Sequence, residues 1–168
     1  MQVTVRRIAV DDWREMKRVR LAALATDRMA FGSTLEAEAA LSDAIWMERA
    51  RESATSDHRA TWVACADDGR MLGMVGAHLD GEGANLFGMW IDPAARGAGV
   101  GGKMLDALIA WLEARDPAAA ISLSVNPTLA AAVRLYESRG FVPTGASKAI
   151  DHTPGARCEV MVRRRPIS

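Results

Sequence analysis

Tyrosine, histidine and cysteine are scarce in this chain, which has one, three and two of them among 168 residues. Their scarcity removes several chemistries. No Cys/His cluster has the spacing of a metal site, so no metal is expected. Cys65 and Cys158 each lie in an apolar run and read as core residues, not as a disulfide. No apolar run nears the ~20 residues of a membrane span. The N-terminal stretch MQVTVRRIAV also lacks the apolar segment of a signal peptide, so a cytoplasmic protein away from membranes is expected. Neither sign of charge is in excess, with 21 Lys and Arg against 21 Asp and Glu. Phosphate backbones demand a basic surplus, so nucleic acid is not the expected partner, although one small phosphorylated ligand stays compatible. What remains is 49% hydrophobic and 25% charged, an ordinary globular composition expected to form a single domain over residues 1–168.

Periodicity gives the elements. VTVRRI alternates as a strand does, and DDW supplies an Asp cap to a helix with Trp13, Met16, Val19, Ala23 and Leu24 on one face. Residues 26–41 are polar and interrupted by Gly32. They read as a loop with a short helical piece, ahead of a second helix over 42–54. Two apolar runs flank Asp68-Gly69, the pair favoured by a tight primed turn, which predicts a β-hairpin. NLFGMWI (85–91) is apolar on both faces and therefore a central strand; Gly88 within it predicts a bulge or a close backbone approach.

Beyond the glycines, Val100, Met104, Leu105, Leu108, Trp111 and Leu112 mark a helix face. ISLSV (121–125) follows as a strand. Leu129, Ala132, Val133 and Tyr136 mark another helix, closed by Gly140. FVPTG and RCEVMVR read as two final strands. An antiparallel meander leading into one β-loop-α-β crossover makes the fold mixed α/β.

The stretch RGAGVGGKM (96–104) fits three phosphate-binding patterns. As a triphosphate loop it lacks the Ser or Thr that would bind Mg²⁺ after Lys103; Met104 stands there, and a thioether suits a hard cation poorly. As a dinucleotide loop it sits in the wrong context, behind an antiparallel hairpin and with no carboxylate at the end of the next strand. The third pattern, R-x-x-G-x-G, is that of an acyl-CoA pyrophosphate loop. Amides at a helix N-terminus, aided by the helix dipole, bind anions, and glycines at 97, 99 and 101 are expected to supply positive φ and close approach.

With its surroundings, MWIDPAARGAGVGGKMLDAL and LSVNPTLAAAVRLYESRGF, and with RLAAL and AFGST upstream, the loop resembles the GNAT superfamily of acyl-CoA N-acyltransferases. The resemblance covers most of residues 20–141. It implies the GNAT fold, a mixed and mostly antiparallel sheet of about seven strands flanked by about four helices and splayed between strands four and five. It implies that Arg96, Gly97, Ala98, Gly99, Val100 and Gly101 cradle the CoA diphosphate, with Gly102 carrying the loop into the helix. Backbone groups of Met89 and Ile91 would pair with the pantetheine arm and polarise the thioester. Tyr136 occupies the general-acid position, from which a phenol of pKa about 10 would protonate a leaving thiolate of pKa about 8.5. One departure is evident: Leu129 stands where members usually carry an Asn that contacts the cofactor arm. Asn126 is the candidate to compensate, unless it caps the turn at Pro127.

The resemblance implies transfer of acetyl from acetyl-CoA to a primary amine of a small molecule or peptide by direct attack, and leaves a homodimer open. The amine must shed a proton, so a base is required. Glu82, ahead of the central strand, is the leading candidate; Glu36, Glu38 and His78 are others, each equally readable as a structural or solvated residue. His58 and His152 read as loop residues, and Arg163–Arg165 as a solvated chain end. Phe31 and Glu36, within segment 26–41, are expected to line the acceptor pocket together with the last two strands. A non-catalytic acyl-CoA-binding module, or a nucleotide- or NAD-binding protein, is the alternative.

Overall fold

The computed structural model describes residues 2–164. Seven strands form one sheet: β1 (Val3–Arg7), β2 (Arg59–Ala66), β3 (Met71–Asp80), β4 (Gly83–Ile91), β5 (Ile121–Val125), β6 (Val142–Ala149) and β7 (Arg157–Arg163). Their spatial order is β1-β2-β3-β4-β5-β7-β6, antiparallel throughout except for the β4–β5 pair. Five α-helices accompany it: α1 (Trp13–Thr26), α2 (Leu35–Ala39), α3 (Asp43–Thr55), α4 (Val100–Arg115) and α5 (Ala130–Glu137). The short helical piece expected within 26–41 is α2, whose N-cap Thr34 accepts a hydrogen bond from the Ala37 amide. No helix among the described residues is long and apolar enough to cross a membrane.

Alternation along the strands divides the core between the two faces of the sheet. Ala60 and Ala64 of β2 pack with α4, whose Met104, Leu105 and Leu108 are wholly enclosed. Val63 and Cys65 of the same strand face the other way, toward Val19, Ala23 and Leu24 of α1 and Ala50 of α3. Each large side chain so buried contributes about 1.5–3 kcal/mol, which makes the predicted helix faces the main adhesive of the fold. Cys65 and Cys158 are free thiols.

The β2–β3 connection differs from the expected turn. Within this connection Gly69 alone has positive φ (85°). A type I′ turn on Asp68-Gly69 needs both central residues left-handed, whereas here Ala66 and Arg70 close a three-residue loop ending on a left-handed glycine. The register shift between Ala64 and Cys65 absorbs the extra residue.

Two features of β4 position the site. Gly88 has φ 65°, and the β3–β4 register slips there: Gly76 faces Phe87 and Met74 faces Trp90, so Gly88 and Met89 together oppose Val75. The bulge predicted at Gly88 is therefore present. Beside it, β4 and β5 pair only at Ala84–Ile121 and Asn85–Ser122. Past Asn85 the two strands diverge, and a cleft opens between them.

Candidate active site

The cleft between the diverging strands is walled by Leu86–Met89 of β4, Leu123–Asn126 at the end of β5, and Leu129, Ala132 and Tyr136 around α5, with Ala30 and Phe31 across its mouth. Ladder parity shows which β4 groups face it. The Asp92 amide bonds to Leu72 O in β3, so the backbone groups of Ile91 point away from β3, and those of Met89, two residues earlier, do likewise. The edge therefore offers main-chain donors and acceptors to an extended ligand. The Ile91 carbonyl is already engaged, accepting from Arg96 Nε at 2.9 Å.

The strand runs out through a short 3₁₀ turn, Pro93–Ala95, into the glycine loop. Gly97 and Gly99 have φ of 85° and 77°, and a Cβ built on either meets nothing within 4 Å. Protein packing therefore does not require these glycines; the backbone turn does, and it leaves the loop's outer side open. The first hydrogen bond of the α4 turn runs from Lys103 N to Gly99 O, so the amides of Gly99 to Gly102 stand free of the helix ladder. This arrangement fits a diphosphate. Gly101 departs from expectation: it is helical, not left-handed. Its added Cβ would lie 2.8 Å from Ile91 Cδ1 and 3.1 Å from Met89 Cε, so glycine here lets α4 press against β4. Val100 is buried at the start of the α4 core face.

Arg96 also differs from the simple cradle reading. Its guanidinium is held by Ile91 O and by Asp27 Oδ2 (2.9 Å), and the Trp90 indole N–H donates to the same carboxylate oxygen at 2.7 Å. Burial by itself would raise the Asp27 pKa, but the Trp90 and Arg96 hydrogen bonds outweigh it and hold the group below the usual Asp range. The side chain thus ties the loop to the end of α1 and leaves ligand contact to its backbone.

Tyr136 is brought to the cleft wall by α5 and fixed edge-on against Phe141 at 5.9 Å. Burial pushes its phenol up to about 12. Asn126 lies at the same wall but is committed to the fold. Its Nδ2 donates to Met29 O, and its Oδ1 accepts from both the amide and hydroxyl of Thr128. It anchors the turn and segment 28–31, so it does not replace the missing Asn, and Leu129 simply contributes apolar wall.

A second cleft lies on the α1–α3 side of the sheet and meets the first at Phe87 and Gly88, which line both. It is built from Met16 and Arg20 of α1, Glu38 of α2, Trp46 and Arg49 of α3, and residues of β2 and β3. Phe31 stands at the boundary, with the Arg20 guanidinium 4.8 Å from its ring centroid. Phe31 lines the first cleft and not the second. The last two strands do not line this cleft. The loop between them instead braces segment 28–31, where His152 Nε2 donates to Phe31 O and Thr153 Oγ1 donates to His152 Nδ1.

The base candidates fare differently. Glu82 sits in the exposed β3–β4 turn, six residues and about 20 Å of strand before Gly88, because β4 runs away from it. It is corrected to a turn residue. Glu36 is exposed and lines a separate depression with Arg28 and His152. His78 lines neither cleft. Glu38 is buried, its carboxylate shared by Arg49 (2.8 Å) and Arg20 (3.5 Å). Burial alone would raise its pKa, but the two guanidinia outweigh that and keep it ionised, a poor proton acceptor. Nothing in the sequence pairs Arg20, the first residue of RLAAL, or Arg49 with Glu38. The available signal was Arg20 itself, a charge at i+4 from Met16 within the apolar stripe of α1. Arg163 is likewise no solvated end: it pairs with Glu113 and donates to Arg139 O, whereas Arg165 lies outside the described residues. Among the described residues no three His, Cys, Asp or Glu side chains converge as a metal site.

Comparison with known proteins agrees with this geometry. The fold is similar to an acetyltransferase of the GNAT family from Streptococcus pneumoniae, with 22% identity, TM-score 0.81, and 98% of this chain and 100% of that one covered. A GCN5-related N-acetyltransferase from Kribbella flavida is 26% identical, with TM-score 0.75 over 97% and 98% of the two chains. An N-acetyltransferase from Thermoplasma acidophilum, solved in complex with coenzyme A, is 14% identical with TM-score 0.75 over 98% and 100%. No curated protein matches the chain. Residues 21–141, well over half of the sequence, from within α1 to just past α5, match the Acetyltransferase (GNAT) family, and the chain belongs to it.

Proposed function

We propose that the chain, acting as one domain, transfers acetyl from acetyl-CoA to a primary amine of a small molecule or peptide. One observation carries this reading: the unpaired, bulged edge of β4 leads directly into an open glycine loop at the α4 N-terminus, with Tyr136 in the same cleft. Acetyl-CoA supplies an acyl thioester. The loop amides from Gly97 to Gly102 hold the diphosphate, and the backbone of Met89 and the Ile91 amide hold the pantetheine arm and polarise the carbonyl. The wall of Leu86, Leu123, Leu129 and Ala132 excludes water from the arm.

Tyr136 keeps its proton throughout the physiological range. A phenol at about 12 does not surrender a proton outright to a thiolate whose thiol has pKa about 8.5. The gap of roughly 3.5 units opposes full transfer by about 5 kcal/mol. Its hydroxyl therefore donates a hydrogen bond to the leaving sulfur, and the proton shed by the attacking amine completes neutralisation. Among the described residues no free carboxylate lines either cleft, so water at the junction takes the amine proton.

Gly99→Asp tests the loop cleanly. The position faces open space, so the variant should fold, but its φ of 77° is left-handed and the substitution should cost about 1–2 kcal/mol and a few degrees of Tm. Its carboxylate should nevertheless abolish the thermal shift given by acetyl-CoA. A wild-type protein stabilised by NAD or ATP but not by acetyl-CoA would sink the proposal.

A further inference from the structure

We infer that the acceptor is a small amine bearing a carboxylate next to its amino group, a free α-amino acid with an apolar side chain. This deepens the acetyl-transfer reading above and rests on it.

The second cleft carries the argument. Two of its wall arginines, Arg20 and Arg49, share a single carboxylate, that of Glu38, which is the one acid among the described residues lining the cleft. Arg59, at the rim, is matched by Glu52 at 3.7 Å. The walls therefore carry one uncompensated guanidinium charge in a site where Arg20 is largely enclosed, a setting that favours an anionic guest over a cationic one. A polyamine or aminoglycoside would meet like charge there.

Donors also outnumber acceptors. Arg20 turns Nη2 toward Glu38, while Nη1 lies 3.9 Å from the point a Gly88 Cβ would occupy.

Position fixes the spacing between the guest's two groups. Gly88 is where the clefts meet, so the amine must reach the bulge from the second cleft. Arg20 Nη1 stands beside that same bulge, so an anion held by it lies close to the amine. Met16, Met74 and Phe87 give the cleft an apolar side, next to Ser53 and Thr61, that suits an apolar side chain.

The experiment compares L-methionine, L-methioninamide and spermidine as acceptors, following thiol release from acetyl-CoA. The amide keeps the side chain, removes the negative charge and mimics a peptide N-terminus. Its amine also deprotonates more readily, so intrinsic reactivity runs against the expected result. L-Methionine should be preferred by tenfold or more in kcat/KM, on the order of one charge-assisted hydrogen bond. Arg49→Gln, which removes one guanidinium charge from the cleft while keeping an amide donor for Glu38, should raise the KM for L-methionine by about tenfold or more, leaving the KM for acetyl-CoA unchanged. Calorimetric titration of L-methionine into the CoA-saturated protein should show binding that Arg49→Gln weakens equally. Preference for the amide or for spermidine, or an unchanged KM in Arg49→Gln, overturns the inference while acetyl transfer stands. No acetyl-CoA binding and no thiol release with any amine overturns both.

Discussion

Tyr136 is enclosed by α5 packing and by Phe141, and its proton affinity follows from that enclosure. Burial disfavours the phenolate, so the folded protein holds the proton to about 12 whereas the unfolded chain releases it near the ordinary value of about 10. Stability tied to this group is complete below about pH 10 and is lost as pH rises toward 12, with a total of about 3 kcal/mol. As the chain's single tyrosine, it can be followed directly by phenolate absorbance, which should stay absent at pH 11 in folded protein and appear on unfolding. Denaturant midpoints between pH 9 and 11.5 should fall more steeply for the wild type than for Tyr136→Phe. Parallel curves would show that the phenol is not enclosed. The same variant should lower kcat and spare the KM for acetyl-CoA.

Strand β4 owes its function to an irregularity. A straight, fully paired β4 would satisfy its edge against β5 and leave no slot, since a buried ladder has no spare donors. Gly88 permits the slip because its φ of 65° lies where L-residues are strained. Gly88→Ala faces no severe clash, its nearest atom being Arg20 Nη1 at 3.9 Å, so its cost is conformational, about 1–2 kcal/mol. It should lower Tm by a few degrees and, if the bulge relaxes, weaken acetyl-CoA binding and raise the acceptor KM together, because both clefts share this residue. A Tm loss with both KM values intact would separate the bulge from the site. The adjoining loop has the opposite character: its left-handed glycines, Gly97 and Gly99, are open to solvent, while its exit from β4 is pinned by Arg96 to Asp27 and Ile91 O.

At the scale of the whole molecule the sheet is two blocks, β1–β4 and β5–β7, joined by two residue pairs at the base of the cleft. The open end is bridged instead by segment 28–31, which receives Asn126 at Met29 O and His152 at Phe31 O. A ligand laid along β4 should therefore quiet the edges of the cleft and little else. Hydrogen exchange with acetyl-CoA should slow at the amides of residues 88–91 and 97–102, with β2 unchanged. Uniform protection across the sheet would argue against a bound slot. The periodic helix faces, the bulge glycine and the glycine-loop turn into α4 were all legible in the sequence because each depends on residues close together along the chain. The same holds for the order of elements. Glu82 could not be placed that way: whether a carboxylate ahead of β4 meets the cleft depends on which end of the strand opens, and that is set by its pairing with β5. Asn126, Arg96 and Glu38 likewise look available in sequence, yet each is engaged by a partner remote in the chain, at Met29, Asp27 and the two arginines of α1 and α3. The sequence by itself therefore determined the family, the loop and the wall that holds Tyr136, through local backbone conformation and periodicity. Only the tertiary structure decided which charges remain free, because a charge is free or bound according to the groups that packing brings beside it.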